Sequence, residues 1–302
     1  MRLKLIYNPA AGRGRVKHRI GDVEALLRHL GAEVEAYASR SPEDLTREAA
    51  ESSRAPFDRV VICGGDGSLN LALRRFDLTG GTLALIPLGS GDDFARVNGI
   101  PRDVKGACEL AVRGSVREVD IATANDLRYA GVAGLGFDSE VARYANERVR
   151  HIQGSAVYLY AILRVLPNFR PRRVRIDGRD EEIMFAVFGN SPQYGGGIKI
   201  APAAVLDDRL LDACIVHRTS RMQLLITLPL AYNGTHVRKS FVETRRAGEF
   251  RVESELPMEV YADGEPLTMT PVRFGIASEK LRICVGPASA GRPAKAGPHT
   301  SR

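Results

Sequence analysis

The chain has 302 residues, which is more than one hydrophobic core usually supports, so its length predicts two domains. Its 44% hydrophobic and 26% charged residues are ordinary for a soluble globular protein, and no apolar run approaches the roughly 18 residues of a membrane-spanning helix. The first residues also lack an apolar stretch of signal-peptide length. These features predict a cytoplasmic protein.

The net charge of +7 predicts an acidic partner, which could be nucleic acid, an anionic membrane surface or a phosphorylated substrate. Four widely spaced cysteines without a CxxC pair indicate buried thiols in a reducing compartment and argue against a zinc site. Residues 287–302 contain basic residues, no acid and little apolar bulk, which predicts a disordered basic tail.

Short apolar strands alternate with amphipathic helices up to about residue 120. The strands are predicted at 2–8, 32–39, 60–65 and 83–89, and helices at 16–31 and 41–52. Ser41 has the N-cap position of the second helix, with Pro42 in its first turn. This alternation predicts a doubly wound α/β domain over 1–120, with its ligand at the carboxyl ends of the strands.

After Asp120 the pattern changes to strand-like segments separated by turn residues. We expect helices only at 157–168 and, on a weaker pattern, at 222–232. The segment 121–286 is therefore predicted to be a second, mainly antiparallel β domain. Periodicity does not decide whether the last strand, 281–286, returns to complete the first domain.

Glycine-bearing loops follow three strands of the first domain, at 8–15, 64–70 and 87–96. Each is compatible with a plain turn, but together they predict a nucleotide site, because glycines let backbone N–H groups approach phosphates. Asp66 lies among the glycines of the second loop. A carboxylate beside phosphates requires a divalent cation between them, so Asp66 favours a metal nucleotide.

The three loops, together with AGLGFDSEV (133–141), YGGGIKIAPAAVLDDRLLD (194–212), GTHV (234–237) and DGEP (263–266), resemble the diacylglycerol kinase and sphingosine kinase superfamily, in its branch of bacterial soluble lipid kinases. The resemblance covers about residues 3–286 in order. It implies a nucleotide-binding α/β domain, a β-rich lipid-acceptor domain, and transfer of the γ-phosphoryl group of ATP to a lipid hydroxyl with Mg²⁺.

The resemblance also implies site residues. The implied ATP contacts are Asn8, Pro9, Ala10, Ala11, Gly12, Ser39, Gly64, Gly65, Asp66, Gly67, Ser68, Asn70, Gly89 and Ser90. Asp66, Asp263 and Glu265 are the implied catalytic residues, with Glu265 as the base that takes the acceptor proton. If DGEP is extended, Asp263 and Glu265 point to the same side; its plain interpretation is a β-turn.

A structural magnesium site is implied at Asp208, with the carbonyls of Leu210 and Val205 as further ligands, although Arg209 replaces the family's glycine. A solvated acidic turn is the alternative. Two further departures are Asp92, for an asparagine in a phosphate-facing loop, and Leu71, for a glutamate. Because of these departures, a non-catalytic protein that binds a nucleotide or a lipid is an alternative function. A kinase for a soluble acceptor such as NAD is another alternative.

The sequence does not name the lipid acceptor. Six arginines between 164 and 179 predict peripheral, reversible contact with the anionic inner face of a membrane, where the acceptor would be presented. The alternative for them is a solvated face. We expect no nucleic-acid partner, and a homodimer is left open.

Overall fold

The computed structural model describes residues 1–149 and 156–286, so the predicted tail at 287–302 lies outside the described residues. The first sheet has the order β2-β1-β3-β4-β17-β5. Its strands are β1 (Arg2–Tyr7), β2 (Glu33–Ala38), β3 (Arg59–Gly64), β4 (Thr82–Pro87), β5 (Ser115–Val119) and β17 (Leu281–Val285). Neighbouring strands are parallel except for the pair β17 and β5. The last strand of the chain therefore lies inside the first sheet.

Five helices accompany this sheet: α1 (Arg15–His29), α2 (Pro42–Arg54), α3 (Asp66–Leu73), α4 (Asp93–Val97) and α5 (Val104–Arg113). Helix α2 begins as predicted, because the Ser41 hydroxyl accepts the N–H of Asp44 at 3.1 Å. Every residue of β4 is buried, which explains its uninterrupted apolar sequence. The α/β prediction for this part of the chain is confirmed.

The second sheet has eleven strands, all paired antiparallel, which confirms the second fold prediction. They are β6 (Ala122–Ala124), β7 (Leu127–Tyr129), β8 (Val132–Gly136), β9 (Arg172–Ile176), β10 (Arg179–Gly189), β11 (Leu211–His217), β12 (Val242–Ala247), β13 (Glu249–Ser254), β14 (Glu259–Ala262), β15 (Glu265–Met269) and β16 (Val272–Ile276). One face of the sheet encloses a core in which Phe188 stacks on Phe274, with ring centroids 4.1 Å apart.

The other face of the second sheet is covered by three helices, α6 (Phe137–Arg148), α7 (Ala156–Val165) and α8 (Arg221–Ala231). Helix α6 contradicts the expectation of only two helices here. Its buried residues Phe137, Val141 and Ala145 recur every four positions, which is a helical period. The expectation failed because the strand-like pattern before Phe137 obscured this signal.

Two backbone segments pass between the sheets, and they touch each other. The first follows β5 and the second precedes β17. The N–H of Ala277 in the second donates to the carbonyl of Ile121 in the first at 2.8 Å. Within residues 1–149 and 156–286, no helix is both long enough and apolar enough to cross a membrane.

Candidate active site

The three glycine loops meet at the carboxyl edge of the first sheet. A Cβ added to Gly89 would lie 2.5 Å from the Cα of Gly65, so these two loops touch through bare backbone. Gly12 has φ +60°, and a Cβ there would lie 2.5 Å from the carbonyl oxygen of Leu88. Glycine is needed at these positions because any side chain would separate the loops. The result is a side-chain-free cradle of the kind that phosphates require.

Arg15, which the sequence analysis did not select, fastens this cradle. Its Nε donates to the carbonyl of Gly12 at 3.1 Å, and its Nη2 donates to the carbonyl of Gly89 at 2.8 Å and to Ser90 Oγ at 3.4 Å. Arg15 is also the first residue of α1. A fixed positive charge therefore lies at the loop edge, where it would favour an anion.

Other residues implied as ATP contacts shape the loops from within. Asn8 Oδ1 accepts the N–H of Ala10 at 2.9 Å, and the Ser39 hydroxyl donates to the carbonyl of Tyr7 at 3.2 Å. Asn70 is only 1% exposed, and its amide donates to the carbonyl of Ala262 in the second sheet at 3.3 Å. Ser39 and Asn70 thus hold backbone in place, and their direct contact with a nucleotide stays a prediction.

Asp92 is buried behind the cradle and is not exposed on its surface. It is 3% exposed, and its Oδ1 accepts the N–H of Gly89 at 3.0 Å. Arg102 Nη2 lies 3.6 Å from its other oxygen. The carboxylate braces the loop from inside, and the negative charge that it adds to this phosphate-facing region stays a prediction. Leu71, the other departure, packs against the core of the first sheet.

Asp66 is the first residue of α3 and is held by the start of α4. Its two oxygens accept the N–H groups of Asp93 at 3.1 Å and Phe94 at 3.3 Å. Burial raises the pKa of Asp66 to about 7, and the carboxylates of Asp263 and Asp93 add to the rise. A cation beside Asp66 would remove this penalty on its charged form, which fits the predicted magnesium nucleotide.

The DGEP segment is a tight hairpin turn between β14 and β15. Asp263 and Gly264 have φ of 50° and 86°, as a two-residue turn of this kind requires. The expectation that Asp263 and Glu265 extend to the same side is therefore wrong. A Cβ added to Gly67 would lie 3.5 Å from Glu265 Oε1, so Glu265 faces the start of α3.

Asp263 instead points into the backbone of its own domain. Its carboxylate accepts three N–H groups, from Ala130 at 3.0 Å, Gly131 at 3.1 Å and Val132 at 2.9 Å. Burial raises the pKa of Asp263, whereas these three donors act to lower it. The pKa of Glu265 is also raised by burial, with Arg74 acting in the opposite direction. Asp263 fixes the turn, and Glu265 is left on the side of α3.

A cavity of about 150 Å³ lies where the two domains meet beside Asp66 and Asp263. Its lining combines carboxylates with apolar and aromatic groups. Two side chains that line the cavity were not predicted from the sequence: Asp138, which accepts a hydrogen bond from the Tyr194 hydroxyl, and Tyr158. Burial raises the pKa of Asp138 to about 6. The AGLGFDSEV and YGGGIKI segments had pointed to this region without identifying a side chain.

Asp93 joins the two domains at the rim of this cavity. Its Oδ2 accepts the N–H of Gly196 at 2.6 Å, and its Oδ1 accepts Arg96 Nη1 at 2.5 Å. Gly195, Gly196 and Gly197 all have positive φ, which explains the three consecutive glycines of this loop.

The implied structural magnesium site does not fit the side chains present. The guanidinium of Arg246 binds Asp208 and also donates through Nε to Asp212 at 3.3 Å. The N–H of Leu210 donates to Asp208 Oδ1 at 3.1 Å. Because an internal cation already neutralises Asp208, the assignment of Asp208, Leu210 and Val205 as magnesium ligands is not supported by the geometry.

The surroundings of Arg209 also argue against a metal at Asp208. It has φ 65°, the conformation that favours glycine, and its N–H donates to Asp120 Oδ2 at 2.6 Å. Lys280 Nζ lies 3.6 Å from Asp120 Oδ1 and donates to the carbonyl of Asp207 at 3.0 Å. Basic side chains thus surround the acidic turn at which the family resemblance implied a metal.

A different acidic group lies on the second sheet. Glu181, His217 and Glu243 bring potential ligand atoms within 4.8 Å of one another. Arg245 contacts Glu181 at 2.6 Å and Glu243 at 2.7 Å, so its guanidinium neutralises one of the two carboxylate charges and occupies oxygens that a metal ion would need. The fit to a divalent ion is therefore better at Asp66 than at either of these two groups.

Two family models match the chain. Residues 2–124 match the diacylglycerol kinase catalytic domain, and residues 131–285 match the YegS C-terminal NAD kinase beta sandwich-like domain. The diacylglycerol kinase of Mycobacterium tuberculosis (strain CDC 1551 / Oshkosh) is 32% identical over 289 residues, covering 92% of this chain and 93% of the relative. That of Bacillus subtilis (strain 168) is 29% identical over 280 residues, with 90% and 92% covered.

Among solved structures, a candidate diacylglycerol kinase from Bacillus anthracis str. Sterne has a TM-score of 0.81 at 24% identity, with 95% of each chain covered. A likeness at this identity supports the two-domain fold alone. The two matched segments and the sequence relatives go further, because they extend over nearly all of both domains. The chain belongs to the diacylglycerol kinase family.

Proposed function

We propose that the protein is an ATP-dependent lipid kinase that transfers the γ-phosphoryl group to a hydroxyl of a diacylglycerol-like acceptor. One observation carries this proposal: the cavity at the domain junction, beside the glycine cradle, is lined by both carboxylates and apolar side chains. Leu69, Phe94, Val132 and Ala142 supply apolar lining, whereas Asp66, Asp93, Asp138 and Asp263 supply carboxylates. A lipid with one polar hydroxyl end matches such a lining.

The cradle residues and Arg15 would hold the phosphates of ATP. Mg²⁺, held through Asp66, would supply neutralisation of phosphate charge. The remaining work belongs to side chains from the second domain. The oxygen of the acceptor hydroxyl would bond to the γ-phosphorus, and the bond between that phosphorus and the ADP oxygen would break. Glu265 would take the proton that the hydroxyl loses. Asp263 would act as a positioning residue that keeps Glu265 at the start of α3.

Labelled ATP, Mg²⁺ and diacylglycerol in detergent micelles test the proposal, with NAD and a fractionated lipid extract as alternative acceptors. Labelled phosphatidic acid is the expected product, and Asp66→Asn should abolish its formation while the variant remains folded. Labelling of NAD alone would instead support a kinase for a soluble acceptor. ATP binding without any labelled product would support a non-catalytic binding protein.

A further inference from the structure

The helical layer of the second domain has an outer face with exposed apolar side chains. Helices α7 and α8 cover the same face of the second sheet, since Ala161 of α7 and Leu224 of α8 share one core with Val187 and Val216. The sides of these helices that point away from Ala161 and Leu224 therefore face outward from the same layer. Their residues decide what this surface can contact.

Helix α7 carries leucines on this outward side. Leu159 and Leu163 lie two positions before and after the buried Ala161, which corresponds to about 200° of rotation on an α-helix. They are 56% and 52% exposed, and the neighbouring Tyr160 is 40% exposed. An exposed aromatic beside two exposed leucines is unusual for a surface that meets only water.

Helix α8 repeats the arrangement. Met222 and Ile226 lie two positions before and after the buried Leu224, and they are 65% and 62% exposed. The two helices thus present the same pattern of paired apolar side chains on one outer face. We call the residues Leu159, Tyr160, Leu163, Met222 and Ile226 the outer apolar patch.

The segments around the patch are basic. Neither 156–176 nor 218–242 contains an acidic residue, and together they contain nine basic ones. These are Arg164, Arg170, Arg172, Arg173, Arg175, Arg218, Arg221, Arg238 and Lys239. Three of them are paired with acids of neighbouring elements: Arg172 with Glu140 at 2.8 Å, Arg175 with Asp180 at 2.8 Å and Arg218 with Glu182 at 3.1 Å. The other six form no ion pair among the described residues. A second copy of the chain would bring like charges together, whereas an anionic lipid surface would complement them.

Helix α7 also connects this face with the candidate active site. Tyr158, next to Leu159, lines the cavity at the domain junction. A Cβ added to Gly264 in the DGEP turn would lie 3.2 Å from the Tyr158 hydroxyl. One side of α7 therefore belongs to the cavity wall, and another belongs to the outer apolar patch.

We propose that the outer apolar patch, with its basic surround, docks the protein on an anionic membrane surface and so places the cavity beside its lipid acceptor. The assignment of an acceptor rests on the proposed function, but the docking surface does not. Apolar side chains enter the interface between headgroups and acyl chains, and the basic residues add attraction that salt screens. Binding should therefore fall with salt without disappearing, because the apolar contribution is not screened.

Sedimentation with vesicles tests this surface on the full chain. Vesicles of phosphatidylcholine with phosphatidylglycerol should bind it, and phosphatidylcholine vesicles should bind it much more weakly. The double variant Leu163→Ser/Ile226→Ser should lose at least about tenfold in affinity, since burying each side chain is worth about tenfold or more. Leu127→Ser is the matched control, because Leu127 is 41% exposed and lies on β7, outside α7 and α8.

Activity on diacylglycerol in detergent micelles separates the two proposals. The double variant should keep its micellar rate and lose rate only on vesicles. Vesicle affinity equal to that of the parental chain would overturn the docking surface, even if the kinase activity is present. A dimer in solution that the double variant dissociates would also overturn it, in favour of a second copy. Absence of kinase activity with intact, patch-dependent vesicle binding would count against the proposed function alone.

Discussion

Asp263→Asn tests whether a charged carboxylate holds the DGEP turn. Asparagine keeps the size of the side chain and tolerates positive φ, so the turn itself is not disturbed. It replaces one of the two oxygens with an NH₂ group. Asp263 Oδ1 accepts Gly131 and Val132, while Oδ2 accepts Ala130 at 3.0 Å, so one of these N–H groups loses its acceptor.

The expected cost follows from these contacts. A buried donor left without an acceptor costs about 1–3 kcal/mol, and the remaining bonds lose the strength that the charge gave them. We expect Asp263→Asn to lower the free energy of unfolding by about 2–4 kcal/mol. Asp177 provides a matched control, because Asp177 and Gly178 form the same turn, with φ of 49° and 81°, and Asp177 is exposed and accepts only Arg251 N–H, at 2.8 Å. Asp177→Asn should cost less than about 1 kcal/mol.

Urea unfolding at pH 8, followed by circular dichroism, measures both variants against the parental chain. The two opposing influences on Asp263 make the result decisive. Burial raises the pKa of Asp263 despite the three backbone donors. If this rise leaves the native carboxyl protonated at pH 8, asparagine replaces it with little loss. Equal stability of Asp263→Asn and the parental chain would therefore refute the charged anchor, and so would an equally large loss in Asp177→Asn.

Three further outcomes are expected. Glu265→Gln should lower the maximal rate of the proposed kinase by ~10²–10⁴-fold with unchanged ATP affinity and stability; an unchanged rate would remove Glu265 as the base. Burial raises the folded-state pKa of Asp138 to about 6, so the parental chain should lose stability as the pH rises from about 4 through 6. Asparagine carries no charge at any of these pH values. In urea, Asp138→Asn should therefore be up to about 3 kcal/mol more stable than the parental chain at pH 8, and no more stable at pH 4. In the Asp66→Asn background, which removes the other candidate magnesium ligand, the melting temperature should be the same in EDTA and in Mg²⁺, and a fall on adding EDTA would restore a metal at Asp208. Arg246→Ala should melt about 2–4 °C below the parental chain in EDTA.

Much of the fold follows from local signals. The apolar runs at 60–65 and 83–89 predicted buried parallel strands, and Ser41 predicted the start of α2, because these features depend on neighbouring residues alone. Helix α6 was not predicted, because the four-residue repeat of its buried side chains begins directly where a strand ends. The return of 281–286 to the first sheet depends on a partner some two hundred residues away in sequence, which no local pattern encodes.

The candidate site, too, could be predicted from the sequence only where the signals are local. Glycines reveal loops, so the cradle and Asp66 could be located from the sequence. Side chains that act through distant backbone could not: Arg15 binds Gly89, and Asp93 binds Gly196 in the other domain. The poor fit of a metal at Asp208 could not be predicted for the same reason, since its partner Arg246 lies on β12, 38 positions further along the chain.

The two segments that pass between the sheets restrict how the domains can move. Since Ala277 is hydrogen bonded to Ile121, they form a double-stranded strap and not a single flexible tether. Direct contacts also join the domains, since the Asn70 amide donates to the carbonyl of Ala262 and the N–H of Gly196 donates to Asp93. Separating the domains would therefore break these hydrogen bonds as well as bend the strap. The nascent chain meets a related constraint, because the edge of β4 stays open until the final strand has been synthesised.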